Sequence, residues 1–297
     1  MSGRSALLDA LGGEEGCQRL SAAFYARVGK DPLLKKLFPG KSLRCATEEF
    51  AAFLIQFLGG DEDQTQYRWW LSLRESHARF RIEPNERAAW LTHMRATLAS
   101  APVNEELRKA LDQFFVHSSA YIVGKDAPAP EHAELAARWS EQLVLDRTVA
   151  AIGAGQDAEA VALAPRFASR PSVFVGLLAK MLRTGRPPLI RFVLDAVHAD
   201  PSLGSRRSAG KTLLHFGAAA GCVELVQLLL EVGTDPDVLD KGDHTPLYSV
   251  ANQCAAETGA SVVRMLANAG ADVNACGGVT RATPLHMAAR RGPLEIA

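Results

Sequence analysis

The chain has 297 residues, which is longer than one typical domain. This length predicts two domains, each large enough to bury its own core. Apolar residues make up 47% of the sequence, and 33 Lys and Arg side chains balance 33 Asp and Glu side chains, so neither nucleic acid nor an anionic membrane is favoured as a partner. The five cysteines lack paired spacing, so we expect reduced thiols. Charged residues near the start interrupt any apolar run of signal-peptide length, and no later run is long enough to cross a bilayer, so we expect no signal peptide and a cytoplasmic protein.

The first part of the sequence predicts three amphipathic helices that share one core. The clearest runs from Thr47 to Leu58, where phenylalanine and leucine recur at helical spacing, and a glycine pair beginning at Gly59 ends it. An earlier helix contains Phe24, and a later one opens at Pro84. Because β-branched alternation is rare throughout the chain, we predict an all-α protein.

A linker is predicted where closely spaced prolines interrupt the helical pattern, in GKDAPAPE from Gly124 to Glu131. It places a boundary near Lys125. The predicted organisation is a first domain over residues 1–125, a proline-rich linker with a connecting helix over 126–145, and a second domain over 146–297.

The second domain contains an internal repeat. Thr212, Thr245 and Thr283 open the segments TLLH, TPLY and TPLH, which lie 33 and then 38 residues apart. Threonine can cap the first helix of each unit, and the glycine before Thr234 or Ala271 tolerates the left-handed conformation in which the second helix ends. The unit is about the length of two short helices and a turn.

These segments resemble ankyrin repeats, which implies an α-solenoid that binds an unidentified protein partner. Leu213 and Tyr248 depart from the family pattern, in which proline and histidine are usual. The predicted repeats are a degenerate region over 146–211 and repeats over 212–244, 245–282 and 283–297, the last incomplete. Because a solenoid needs a terminal unit with a polar outer face, we expect the natural protein to extend beyond Ala297.

The histidines differ in what their surroundings predict. His215 and His286 occupy the fourth position of the repeat tetrapeptide, where a local hydrogen bond that holds the turn is expected. His77 and His93 lie in the aromatic-rich first domain, where a flat apolar cofactor could be enclosed. Spacing alone does not choose between these two.

A family resemblance that extends over roughly Leu7 to Val123 distinguishes between His77 and His93. Six segments occur in the order and spacing of the group II, or O-type, truncated haemoglobins: LGG, FYARV, LFPG, FLGG, LRESHARFRI and ERAAWLTHM. The resemblance implies a two-over-two helical sandwich and a haem. Because CxxCH is absent, the expected cofactor is a non-covalent haem b.

Carried over residue by residue, the resemblance implies a complete haem site. Its members are His77, Tyr25, Phe38, Ala46, Phe50, Arg74, Phe80 and Trp90. His77 would be the metal ligand, Tyr25 O–H and Trp90 N–H would donate to a bound diatomic ligand, and Arg74 would pair with a propionate. Ser76 stands where many relatives have a basic residue, and Trp69 with Trp70 stand where small or polar residues are common.

Three hypotheses about function follow. The first is a haem protein that binds dioxygen or another diatomic ligand and is held to a protein partner by its ankyrin repeats, with no nucleic acid or membrane partner and no catalytic residues. The second is a haem redox enzyme, a nitric oxide dioxygenase or peroxidase-like protein, that needs a separate reductase because the sequence lacks a flavin or nicotinamide motif. The third is a scaffold whose globin fold binds no haem.

Overall fold

The computed structural model of the chain describes residues 5–38, 40, 42–60, 71–254 and 257–291. It divides into two compact units, Met1–Arg147 and Thr148–Ala297. Within the described residues the strands are β1 (Arg207–Ser208) and β2 (Lys211–Thr212), and helices make up the rest of the regular structure. The predicted all-α class is confirmed. Pro39, Trp69, Trp70 and residues 292–297, on which parts of the sequence motifs fall, lie outside the described residues.

In its described residues, the first unit is built from seven helices and most of an eighth. They are α1 (Ala6–Ala10), α2 (Gly13–Val28), α3 (Pro32–Lys35), α4 (Arg44–Phe57), α5 (Leu73–His77), α6 (Pro84–Ser100), α7 (Glu105–Ile122) and α8 (Ala133–Ala154). Helix α2 packs on α4 and α6 packs on α7, and the two pairs meet through α2 and α6. This arrangement is the two-layered helical sandwich that the sequence predicted.

The helix predicted around Thr47 exists and begins earlier than expected, at Arg44. It ends where glycine was predicted to stop it, because Gly59 has a φ of 87° that other residues rarely adopt. Pro84 is the first residue of α6, as predicted, since a missing N–H costs nothing in the first turn.

The core of the first unit is aromatic and continues into α8. Phe24 of α2 and Phe114 of α7 are each 1% exposed, and Leu135 and Trp139 of α8 belong to the same buried cluster. The Trp139 ring lies 5.8 Å from that of Phe114 in an edge-to-face contact. Residues 124–132, which contain the predicted linker, form neither helix nor strand, and the helix that follows them packs into this core.

Gly16 of α2 is a position where a side chain has no room, because a Cβ there would lie 1.9 Å from the carbonyl oxygen of Leu11. We expect Gly16→Ala to push α1 and α2 apart and to lower the free energy of unfolding by about 1–3 kcal/mol. Gly153→Ala in α8 is the control, because a Cβ there meets nothing within 4 Å. It should leave stability unchanged or raise it by roughly 0.5–1 kcal/mol. Urea unfolding measures both, and equal midpoints for the two variants would contradict the prediction.

The second unit contains the end of α8 and eight further helices in the described residues. They are α9 (Asp157–Leu163), α10 (Pro171–Leu182), α11 (Pro187–Ala199), α12 (Leu213–Ala220), α13 (Val223–Glu231), α14 (Pro246–Gln253), α15 (Gly259–Asn268) and α16 (Pro284–Arg291), with 3-10 turns at Ala164–Phe167 and Pro201–Gly204. Helices α10, α12, α14 and α16 pack on one another in order, and α9, α11, α13 and α15 form a second row. Two parallel rows of short helices make a solenoid.

The repeat threonines cap helices as predicted. Thr212 is the N-cap of α12, and the backbone N–H of Thr212 donates to Nδ1 of His215 over 3.3 Å. Burial lowers the pKa of His215 to about 4, so its ring is neutral at pH 7. Its Nε2 lies 3.0 Å from the carbonyl oxygen of His244 and can therefore donate to the following turn. Thr283 makes the same bond to His286, which confirms the expected structural role of these histidines.

Candidate functional site

The first unit contains a partly open cavity of about 780 Å³ that is bordered by α2, by the segment after α3 and by α4 to α7. Seven of the eight residues that the sequence predicted for the site line it: Tyr25, Phe38, Ala46, Phe50, His77, Phe80 and Trp90. They come from five separate segments of the chain, so residues that are far apart in the sequence meet at one cavity in the fold. Volume and aromatic lining are those of a site for a large apolar ligand.

His77 is the last residue of α5 and its ring is held in one orientation. Nδ1 lies 2.7 Å from the carbonyl oxygen of Leu73, one helical turn earlier, and 2.9 Å from the Ser76 hydroxyl. Burial lowers the pKa of His77, so the ring is neutral at pH 7 and Nδ1 carries the proton that it donates to Leu73. Within the described residues Nε2 makes no hydrogen bond. Its lone pair is therefore available to a ligand in the cavity.

His93, the alternative that spacing left open, does not line the cavity. Its Nε2 lies 2.7 Å from a carboxylate oxygen of Asp31, which caps α3, and both side chains are only partly buried. The hydrogen bond to His93 lowers the pKa of Asp31. His93 thus serves the packing of α6 against α3.

Tyr25 and Trp90 bring two hydrogen-bond donors to the cavity. Burial and the nearby Glu49 carboxylate raise the pKa of Tyr25, so its hydroxyl keeps its proton. Within the described residues neither the Tyr25 hydroxyl nor the Trp90 indole N–H has a hydrogen-bond partner. Phe24 stands between them, with its ring 5.1 Å from each of theirs, and fixes both.

Phenylalanines complete the walls. The rings of Phe38 and Phe80 lie 5.5 Å apart. Phe50 lies 6.1 Å from Phe115 of α7, and Trp90 lies 5.7 Å from the same ring. Phe115 and Phe53 line the cavity although the sequence did not predict them for the site, because their helical spacing identifies them only as core residues.

The basic residues at the cavity differ from the one predicted. Arg74 does not line it: its guanidinium carbon lies 4.1 Å from the centre of the Tyr121 ring. Lys36 and Arg79 line the cavity instead. Arg79 follows His77 by two residues, and this closeness to the predicted ligand was the one signal that could have found it.

Comparison with known proteins bears on both units. A family model described as bacterial-like globin matches residues 6–120. Group 2 truncated hemoglobin YjbI of Bacillus subtilis (strain 168) is 38% identical over 100 residues, which cover 33% of this chain and 74% of that protein. The chain belongs to the group 2 truncated haemoglobins. Among solved structures, the hemoglobin of the thermophilic phototrophic bacterium Chloroflexus aurantiacus shares 39% identity over 39% of this chain and 95% of that one, with a TM-score of 0.37.

We call residues 1–147 of this truncated haemoglobin the globin unit and residues 148–297 the repeat unit. A family model of ankyrin repeats matches the repeat unit over residues 177–275 and 214–297. Ankyrin repeat and SOCS box protein 16 of Homo sapiens is 36% identical over 86 residues, and the chain spans only 18% of the length of that protein. The repeat unit therefore contains ankyrin repeats, as predicted, and the match covers it from residue 177 onward. No helix in the described part of the chain is both long and apolar enough to cross a membrane.

Proposed function

We propose that the globin unit binds one haem b non-covalently, with His77 as the protein ligand of the iron, and that it binds dioxygen or another diatomic ligand. The observation that carries the proposal is the His77 ring. It is neutral, its Nδ1–H is donated to the Leu73 carbonyl, and its Nε2 is left without a hydrogen bond inside an aromatic cavity. A metal-binding histidine has this arrangement, because the acceptor that takes the proton of one ring nitrogen fixes the tautomer and raises the basicity of the other nitrogen.

The lining fits the shape and charge of a porphyrin. Phe38 and Phe80 offer ring surfaces to a flat macrocycle, and a volume of about 780 Å³ lies within the range of cofactor sites. Among the described residues, the cationic side chains that line the cavity are Arg79 and Lys36, the second of which also pairs with Glu86 over 2.9 Å, and we assign the propionate contacts to them in place of Arg74.

A bound haem supplies an iron with one open position for a diatomic ligand. The chain supplies the surroundings of that position. The Tyr25 hydroxyl and the Trp90 N–H donate hydrogen bonds to the ligand, and the phenylalanines keep water away so that these bonds are strong. Ala46, with a methyl group only, neither donates nor blocks entry.

The ankyrin repeats supply the second half of the proposal, which is the binding of a protein partner. Loops before α14 and α16 and the start of α16 expose large apolar side chains: Leu239 is 47% exposed, Val279 is fully exposed and Leu285 is 59% exposed. Exposed apolar side chains on adjacent repeats are suited to a protein surface.

Titration of the haem-free chain with haemin tests the central claim. We expect saturation at one equivalent with an intense Soret band that shifts on reduction and again when dioxygen or carbon monoxide is added. A protein that is folded by circular dichroism and takes up no stoichiometric haemin would overturn the proposal and leave a haem-free scaffold.

A further inference from the structure

Helix α8 lies outside the globin match, which ends at residue 120, and yet its first part is built into the globin unit. Leu135 and Leu145 are fully buried, and Trp139 is 3% exposed. The guanidinium of Arg138 donates to the carbonyl oxygen of Phe57 at the end of α4. The unit therefore has a helix that the family match does not account for.

A buried carboxylate on this helix reaches the short helix that ends in His77. Asp146 is 4% exposed, and its two oxygens accept the backbone N–H of Leu73 over 3.0 Å and that of Arg74 over 3.2 Å. These are the first two residues of α5, whose N–H groups have no partner within the helix. A charged acceptor makes such bonds roughly twice as strong as a neutral one.

The carboxylate is itself held from two further directions. The Tyr121 hydroxyl donates to Oδ2 over 3.1 Å, and the Gln142 amide donates to Oδ1 over 2.8 Å. The same amide nitrogen lies 2.9 Å from the carbonyl oxygen of Leu71 and so ties the segment before α5 to α8. With four donors, a buried charge is fully solvated by the protein and fixed in place.

Leu73 connects this carboxylate to His77. Asp146 holds the N–H of Leu73, and the carbonyl oxygen of Leu73 accepts the Nδ1 proton of His77 over 2.7 Å. Because α5 is only five residues long, it has little rigidity of its own, and anchoring its first residue fixes the acceptor that orients the imidazole.

We propose that Asp146, held by Tyr121 and Gln142, is a positioning residue for the proximal histidine: it fixes α5 and, through Leu73, the plane and tautomer of the His77 ring. The proposal rests on haem binding at His77, as argued above. It assigns a role in the haem site to a residue 69 positions downstream of the ligand, in a helix outside the globin match.

The test compares Asp146→Asn with a matched change on the same helix. Asp146→Asn keeps the shape of the side chain and removes its negative charge. The new NH2 group then faces backbone N–H, hydroxyl and amide groups that are themselves donors, so it cannot replace the lost acceptor. Glu134→Gln is the control: Glu134 accepts from Ser5 and Arg138 within the globin unit and does not contact α5. We expect Asp146→Asn to shift the iron–histidine stretching band in the resonance Raman spectrum of the ferrous protein and to speed haem transfer to an acceptor globin about 10-fold, while Glu134→Gln changes neither.

A readout without haem separates this inference from the proposed function. In the haem-free chain, Asp146→Asn should speed hydrogen exchange at the amides of Leu73 and Arg74, and Glu134→Gln should not. If the unsubstituted chain takes up no haem, the proposed function fails, and with it the role of Asp146 at the haem. If it does take up haem and Asp146→Asn leaves the Raman band, haem transfer and amide exchange as they are in the unsubstituted chain, the positioning role is wrong.

Discussion

Replacing His77 with alanine is expected to abolish stoichiometric haem uptake, because the change removes the imidazole Nε2, whose lone pair makes no hydrogen bond within the described residues. Loss of the side chain that binds the iron should weaken haem binding by at least the roughly 10–100-fold that loss of a hydrogen-bond partner of a metal ligand costs. The measurement is a haemin titration followed at the Soret band. Free imidazole added to the His77→Ala protein should enter the space left by the side chain and restore part of the band.

His93→Ala is the matched control for that experiment. Both histidines lie in the globin unit, but the His93 ring is bonded to Asp31 and does not line the cavity. This variant should lose some stability and still bind one equivalent of haem with an unchanged spectrum. If His93→Ala, and not His77→Ala, removed the Soret band, the assignment of the ligand would be reversed.

Removing the two cavity donors is expected to speed the release of dioxygen. Tyr25→Phe deletes one hydroxyl, and Trp90→Phe deletes one N–H, each of which can donate to a ligand that acquires negative charge. Hydrogen bonds to charged groups contribute about 1.5–3 kcal/mol, so each change should raise the dissociation rate constant about 10-fold or more. Stopped-flow mixing of the oxygenated protein with a scavenger measures it.

The double variant shows whether the two donors act on the same ligand. If they do, its rate constant should depart from the product of the two single effects, because groups that share a partner are coupled. Tyr248→Phe, in the repeat unit, is a control that removes a phenol far from the cavity in the sequence and should leave the rate unchanged. Single variants that both release dioxygen within twofold of the unsubstituted rate would show that neither side chain donates.

Periodicity was sufficient to predict α2, α4 and α6 of the globin unit, whereas α7 (Glu105–Ile122) was not predicted. Helix α4 has a strong apolar face, and Gly59 gives a clear end signal, so its extent could be predicted within three residues at either end. Helix α5 has only five residues and no period to detect, and its histidine was found through the family resemblance alone.

Other parts of the structure had no sequence signal. Helix α10 is buried on nearly every side, so its sequence shows little contrast between an apolar and a polar face, and the region that contains it, 146–211, was predicted only as a degenerate one. The bond between Asp146 and Leu73 joins residues 73 positions apart, and the propionate role predicted for Arg74 depended on a side-chain direction that the neighbouring Tyr121 ring decides. Contacts of this kind come from tertiary packing.

The placement of α8 limits how the parts of this protein could be exchanged during evolution. The proline-rich stretch lies between helices, so an alignment would suggest it as a recombination point. Recombination there would remove Leu135 and Trp139 from the globin core and expose the Phe114 and Tyr121 rings to water. A graft of the globin unit onto another chain would have to include the first part of α8, at least as far as Arg147. We therefore expect the globin and the first part of α8 to have been inherited together.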